Sequence, residues 1–123
     1  MRELDTIQKK EKLNEVWAVD EIGPGGANHR YTVESNEEES MEKGRCTAIQ
    51  FQCGPRKEDS STWGVIDSDL LEIVRDRMIA FQAGPFASKY NEEALKGIEI
   101  ALNALNKRVE DRINRNVLGK NIK

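Results

Sequence analysis

The chain has few of the residues on which many catalytic and metal sites depend. Its 123 residues include one histidine, His29, and two cysteines, Cys46 and Cys53. No CxxC or HExxH motif is present, which argues against a zinc site or histidine-dependent catalysis. The cysteines are seven residues apart in one predicted strand, so their side chains fall on opposite faces and beyond disulfide reach. We therefore expect reduced thiols, and a bond between chains stays open.

Long apolar runs and a strong excess of one charge are also lacking. No window approaches the roughly 20 apolar residues of a membrane span, and residues 1–5 lack the apolar segment of a signal peptide. The net charge of -3 provides no overall field that would favour nucleic acid. We expect no membrane or nucleic-acid partner, and the cytosol as the location.

The first half of the chain carries a strand pattern. Residues 1–14 are polar, rich in Lys and Glu, and predict a leader, either a short helix or a disordered segment. Residues 15–20 form a short apolar run, and residues 31–34 and 47–51 alternate as strands do. An acidic loop, 36–44, separates the last two strands. This pattern predicts a three-stranded antiparallel meander over 15–55.

The second half carries two helical patterns that predict a hairpin over 67–118. Asp67 or Ser68 can cap the first helix, which ends at Gly84-Pro85. Asn91 can cap the second, and an apolar seam runs from Leu95 to Val109. Gly119 would stop that helix. The fold class is therefore α+β, and residues 15–123 are expected to form a single domain. A domain this small with such a seam predicts a homo-oligomer.

Aromatic and basic residues of the hairpin suggest an anion-binding site. Arg108, Arg112 and Arg115 share one helix face by their spacing, so they predict either a solvated surface or a phosphate clamp. Phe81 and Phe86 flank the Gly-Pro elbow and can either fill the hairpin core or stack on a flat ligand. Gly84 allows the backbone to approach closely in either case. Asn91 is first of all a cap, and Arg56 by itself would be ordinary surface.

These residues belong to phrases that resemble a known family. The phrases are VWAVDE at 16–21, GPGGA at 23–27, IQFQ at 49–52, FQAGPFA at 81–87 and NEEAL at 91–95. With them the chain resembles the phage Thoeris anti-defence sponges from about residue 16 to about residue 115. Its C-terminal half also resembles the helical-hairpin domain of phage sponges that counter cyclic-oligonucleotide defence (CBASS). The last two phrases are the most specific, and the segments 36–41 and 59–63 match least well.

The resemblance implies a binding protein and no enzyme. Members of this family bind and sequester glycocyclic ADP-ribose, the messenger of bacterial TIR enzymes, without degrading it, and so block Thoeris immunity in the host bacterial cytoplasm. It implies no cofactor, and a homo-oligomer with ligand pockets between subunits, either a dimer or a hexamer built from dimers. Some members also hold cyclic trinucleotides at a separate site. Alternatives are an interaction module that dimerises through its hairpin, a sponge for the cyclic oligonucleotides of CBASS, and a phosphodiesterase.

The resemblance also implies roles for single residues. Phe81 matches the ring that stacks on the base, and Asn91 matches a polar ligand contact. Arg108 and Arg112 match the pair that binds the pyrophosphate, and Arg56 a further basic contact. The remaining candidate ligand-binding residues are those of the elbow, Gly84, Pro85 and Phe86. No catalytic or metal-binding residue is predicted.

Overall fold

The chain consists of a small sheet followed by two helices, which confirms the α+β prediction. A computed structural model describes residues 1–36 and 45–120. The strands and helices are β1 (Arg2–Glu3), β2 (Asn14–Ala18), β3 (Arg30–Ser35), β4 (Cys46–Gln50), α1 (Asp67–Gln82) and α2 (Lys89–Asn114). They form two compact units, Met1–Val65 and Ile66–Lys123. The single domain expected over 15–123 stays a prediction, and most of the acidic loop lies outside the described residues.

The sheet has four antiparallel strands in sequence order, one more than predicted. The additional strand, β1, lies in the predicted leader and pairs Arg2 with Ala18 and Glu3 with Trp17. The Leu4 N–H extends this pairing to the Val16 carbonyl at 2.8 Å. The sequence analysis predicts a leader here because residues 2 and 3 are polar and show no apolar alternation. An edge strand pairs through backbone hydrogen bonds, so it does not need such a pattern.

The last strand is shorter than predicted. β4 ends at Gln50, and beyond it Phe51 and Cys53 form isolated bridges with Val65 and Thr62. The expectation that both cysteines lie in one strand is therefore wrong, because the second one pairs with a different segment. Both are free thiols, as expected.

The sheet unit buries little apolar surface. Ala18 is 1% exposed and is the one hydrophobic residue classed as buried among residues 1–36 and 45–120. Tyr31 and Phe51 contact each other edge to face, with ring centroids 5.6 Å apart. Larger side chains such as Leu13 and Ile22 remain exposed. The apolar core of the sheet unit is therefore small.

The first helix begins where predicted but with a different cap. Ile66 occupies the N-cap position, and the Asp69 carboxylate accepts a hydrogen bond from its backbone N–H at 3.0 Å. The predicted caps, Asp67 and Ser68, are the first two residues of α1 instead. Asp69 is at the N3 position, and its side chain accepts the hydrogen bond from the N-cap backbone N–H, as in a capping box. This bond does not require a polar side chain at the N-cap. The helix ends at Gln82, just before Gly84-Pro85, as predicted.

The second helix begins three residues earlier than predicted. Ser88 is its N-cap, and the Ser88 hydroxyl accepts a hydrogen bond from the Asn91 backbone N–H at 3.0 Å. Asn91 is therefore the third residue of α2, and its prediction as the cap is wrong. Serine at 88 has the extended backbone that an N-cap needs, so it takes this role first. The Arg75 guanidinium joins the helices through the Glu99 carboxylate at 3.0 Å.

The end of α2 also differs from prediction. The helix ends at Asn114, and Asn116 has a positive φ of 56°. Asparagine tolerates this left-handed conformation, so the chain leaves the helix before Gly119. Neither α1 nor α2 is both long enough and apolar enough to cross a bilayer, and the same holds for every helix in the described part of the chain.

Candidate functional site

The elbow between the helices brings several predicted site residues together. The Asn91 side-chain amide donates to the Phe86 carbonyl at 3.1 Å, and the Ser88 N–H donates to Gln82 Oε1 at 2.9 Å. The Gly84 carbonyl accepts from Ala87 N–H at 3.3 Å. These bonds hold residues 82–91 in one compact turn. Asn91 therefore contributes its amide N–H to the elbow and keeps its side-chain oxygen as an acceptor.

The two rings of the elbow differ in exposure. Phe81 is half-buried, whereas Phe86 is 75% exposed. The Phe86 ring therefore does not belong to the core of a single copy of this chain. The Arg77 guanidinium lies over the Phe81 ring, with its carbon 5.3 Å from the ring centroid. This is a cation–π contact between residues one helical turn apart. The sequence analysis did not predict it, although the i, i+4 spacing could have indicated it.

The arginines of the far helix end do not form one uniform face. Arg108 is exposed, whereas Arg112 is 5% exposed. Arg112 Nη2 donates to the carbonyls of Val117 at 3.1 Å and Lys120 at 2.7 Å. Arg115 pairs with Asp111 at 3.1 Å. Arg112 thus closes the C-terminal turn, and its Nε and Nη1 groups make no hydrogen bond with the described residues.

The structure does not bring the elbow and the arginines together within one hairpin. Asn91 and Arg108 both belong to α2. An α-helix rises 1.5 Å per residue, so their backbones lie about 25 Å apart along the axis. One small ligand therefore cannot contact both residues of the same helix.

A basic and aromatic pair occupies the sheet unit. The Arg56 guanidinium carbon lies 5.5 Å from the centroid of the Trp63 ring, and Arg56 Nη2 donates to the Gly64 carbonyl at 3.0 Å. Trp63 is 70% exposed. Arg56 is one of the predicted ligand contacts. The exposure of the Trp63 ring shows that Trp63 does not belong to the core of this chain.

A polar network surrounds Asp20 near the glycine-rich turn at 23–26. The His29 backbone N–H donates to both Asp20 carboxylate oxygens at 3.2 and 3.0 Å, and the Asn28 amide donates to the Asp20 carbonyl at 2.7 Å. Partial burial of the Asp20 carboxyl acts to raise its pKa, but hydrogen bonds from His29, Arg30 and Asn28 outweigh it. The pKa therefore falls below its ordinary value of 3.8.

The two helices enclose an open groove of about 490 Å³. Apolar residues line part of it, and Asp69, Glu72 and Glu99 make it acidic around Arg75. The hydrogen bond from Arg75 to Glu99 raises the pKa of the guanidinium. The described side chains include no group of three or more His, Cys, Asp or Glu residues that could hold a metal ion. None of the predicted ligand-binding residues, all of which the structure describes, lines this groove.

Comparison with known proteins identifies the class to which this hairpin belongs. The family described as Acb2/Tad1, hairpin domain, matches residues 45–110, more than half of the chain. The chain belongs to this family. A relative, the protein named Thoeris anti-defense 1 of Bacillus phage SBSphiJ7, is 34% identical over 97 residues. The match covers 79% of this chain and 63% of that relative, so the chain spans less than two thirds of the relative's length.

Proposed function

We propose that this chain is a phage anti-defence protein that binds and sequesters glycocyclic ADP-ribose. It does not cleave the messenger, and by lowering its free concentration it blocks TIR-based Thoeris immunity in the host cytoplasm. The observation that carries the proposal is the family match over residues 45–110. That range contains Arg56, Phe81, Asn91 and Arg108. The relative from Bacillus phage SBSphiJ7, which is named Thoeris anti-defense 1, supports the same pathway.

The chemistry of the candidate residues suits this ligand. A glycocyclic ADP-ribose has a flat base, two riboses and a pyrophosphate. A half-buried ring at Phe81 offers a stacking face, and arginines offer paired donors that match phosphate oxygens. Arg108 is exposed and has no bonding partner among the described residues. Arg112 is the weaker of the two candidates, because it is 5% exposed and its Nη2 holds the C-terminal turn.

We place the ligand pocket between two copies of the chain. The separation of about 25 Å between Asn91 and Arg108 along α2 supports this arrangement, in which the elbow of one copy meets the arginines of another. Exposed apolar side chains of the hairpin provide surface for this contact. They include Ile73, Val74, Ile79, Ile100 and Ile113. A homo-oligomer, a dimer or a hexamer built from dimers, follows from this arrangement, and sedimentation showing only a 14.0 kDa species would contradict it.

Calorimetry tests the function directly. We expect tight binding of at least one glycocyclic ADP-ribose isomer and weaker binding of linear ADP-ribose and NAD. Ligand recovered after denaturing the protein should be chemically intact, because a sponge acts by mass action and not by turnover. No binding of any isomer would refute the proposal, and recovery of a cleaved product would replace the sponge with an enzyme.

A second candidate function is a sponge for the cyclic oligonucleotides of CBASS. The name of the matched family includes both Acb2 and Tad1, and the resemblance extends to sponges of that class. Titration with cyclic trinucleotides in the presence of saturating glycocyclic ADP-ribose separates the two. Additional heat would indicate a separate second site, and competition would indicate one shared site.

A further inference from the structure

The loop that carries Arg56 and Trp63 is closed and held in shape by its own hydrogen bonds. Cys53 and Thr62 exchange backbone hydrogen bonds of 3.0 and 2.9 Å across its base. Inside the loop, Glu58 N–H donates to Pro55 and Ser61 N–H donates to Glu58, at 3.1 and 3.0 Å. The loop therefore presents its side chains from a defined backbone, and no flexible segment has to be ordered on binding.

The Arg56 guanidinium is held from two sides. Its Nη2 donates to the Gly64 carbonyl at 3.0 Å, and the Trp63 ring lies beneath its carbon at 5.5 Å. Gly64 is itself fixed, because its N–H donates to Gln52 Oε1 at 3.2 Å. A Cβ on Gly64 would lie 2.4 Å from the Gln50 carbonyl oxygen. The acceptor that orients Arg56 thus has little freedom to move.

Most of the donors of Arg56 remain unused. A guanidinium carries five N–H groups, and one hydrogen bond is found for Arg56. Among residues 1–36 and 45–120 no carboxylate pairs with it. Trp63 is 70% exposed, so its ring is not placed there to fill a core. The pair is a pre-oriented cation whose free donors are available to an anionic group.

We propose that Trp63 is a positioning residue that fixes the guanidinium of Arg56 for a phosphate group of a nucleotide ligand. The inference rests on the proposed function, because it deepens the role of Arg56 in binding the messenger. Trp63 is not among the residues for which the family resemblance implies a role, so the inference rests on its contact with Arg56. A ring beneath the guanidinium restricts the arginine to few rotamers, and less conformational entropy is lost when the phosphate binds.

A double-mutant cycle with glycocyclic ADP-ribose tests this role by calorimetry. Exposed cation–π contacts predict that Trp63→Leu weakens binding by about two- to fivefold. Arg56→Ala should weaken it more, and Trp63→Leu added to Arg56→Ala should have no further effect. Trp63→Phe keeps an aromatic face and should bind nearly as the parent does. Ile7→Ala is the control, since Ile7 is fully exposed and lies outside both the elbow and the loop that carries Arg56.

Each outcome of this cycle decides the inference. Normal binding by Trp63→Leu overturns it and leaves the proposed function intact, because the parent still binds. An equal loss in the Arg56→Ala background also overturns it, since Trp63 would then contact the ligand itself. Failure of the parent to bind any isomer removes the proposed function and the inference together. We expect both Trp63 variants to have the melting temperature of the parent. In a Trp17→Phe protein, the fluorescence emission of Trp63 should change when Arg56 is replaced by alanine.

Discussion

Arg112 closes the C-terminal turn by donating from Nη2 to the Lys120 carbonyl oxygen at 2.7 Å. The same nitrogen reaches the Val117 carbonyl at 3.1 Å, and the side chain is almost fully buried. Arg108, one turn earlier on the helix, is exposed. Two arginines with the same predicted role thus have different structural environments, and their variants should differ in a measurable way.

Replacing these two arginines should separate stability from binding. Arg112→Ala removes charged hydrogen bonds to two carbonyls, so it should lower the free energy of unfolding by about 1.5–3 kcal/mol. Arg108→Ala should change it by no more than about 0.5 kcal/mol. Urea denaturation measures both, and calorimetry should show weaker messenger binding for each. Equal unfolding midpoints for the two variants would show that the C-terminal turn contributes nothing to stability.

Phe81→Ala distinguishes a stacking ring from a core ring. We expect a folded, oligomeric variant whose messenger affinity is weaker by about 1–3 kcal/mol, the usual contribution of stacking on one base. Phe81→Trp should retain much of the affinity because it keeps an aromatic face. Phe86→Ala, at the other candidate ring of the elbow, shows which of the two rings contributes more to binding. If Phe81→Ala unfolds, the ring is part of the core, and Phe86 becomes the better stacking candidate.

Asp20 should contribute to stability in a pH-dependent way. Its pKa is lowered in the folded state, so its contribution is present above the unfolded value of about 3.9 and is lost as the pH falls through the folded value. Asp20→Asn should therefore be less stable than the parent near neutral pH, and this difference should shrink in acid. Urea midpoints measured from neutral pH down to roughly pH 2 would show it. Asp59→Asn, at an exposed loop position, is the control, and a difference that stays constant in acid would contradict the prediction.

Two glycine-to-alanine changes should have opposite effects on stability. A Cβ on Gly64 would lie 2.4 Å from the Phe51 carbonyl carbon, so the backbone would have to shift. We expect Gly64→Ala to destabilise the protein by about 1–3 kcal/mol. A Cβ on Gly97, within α2, meets nothing within 4 Å, and alanine there should add up to about 1 kcal/mol because it favours the helix. Thermal unfolding measures both, and a stable Gly64→Ala protein would show that the contact at this position can relax.

Local patterns in the sequence determined the helical part of this protein. The spacing of apolar residues from Leu70 to Phe81 and from Leu95 to Val109 predicted both helices, and Gly84-Pro85 predicted the elbow between them. These signals are local, because each depends on side chains within one or two turns and on backbone restrictions of single residues. The absence of a disulfide between the two cysteines was also predicted. That prediction assumed that both lie in one continuous strand, which is wrong.

Only the tertiary structure decided which polar groups meet. The pairing of Arg2–Glu3 with β2 depends on backbone hydrogen bonds that leave no trace in side-chain periodicity. Ser88, and not Asn91, occupies the N-cap position of α2 because the backbone is extended at residue 88. The burial of Arg112 and the stacking of Arg56 on Trp63 depend on turns that bring residues five to eight positions apart into contact. Sequence names the donors of a binding site, but only the folded backbone decides which of them are already occupied and which remain for a ligand.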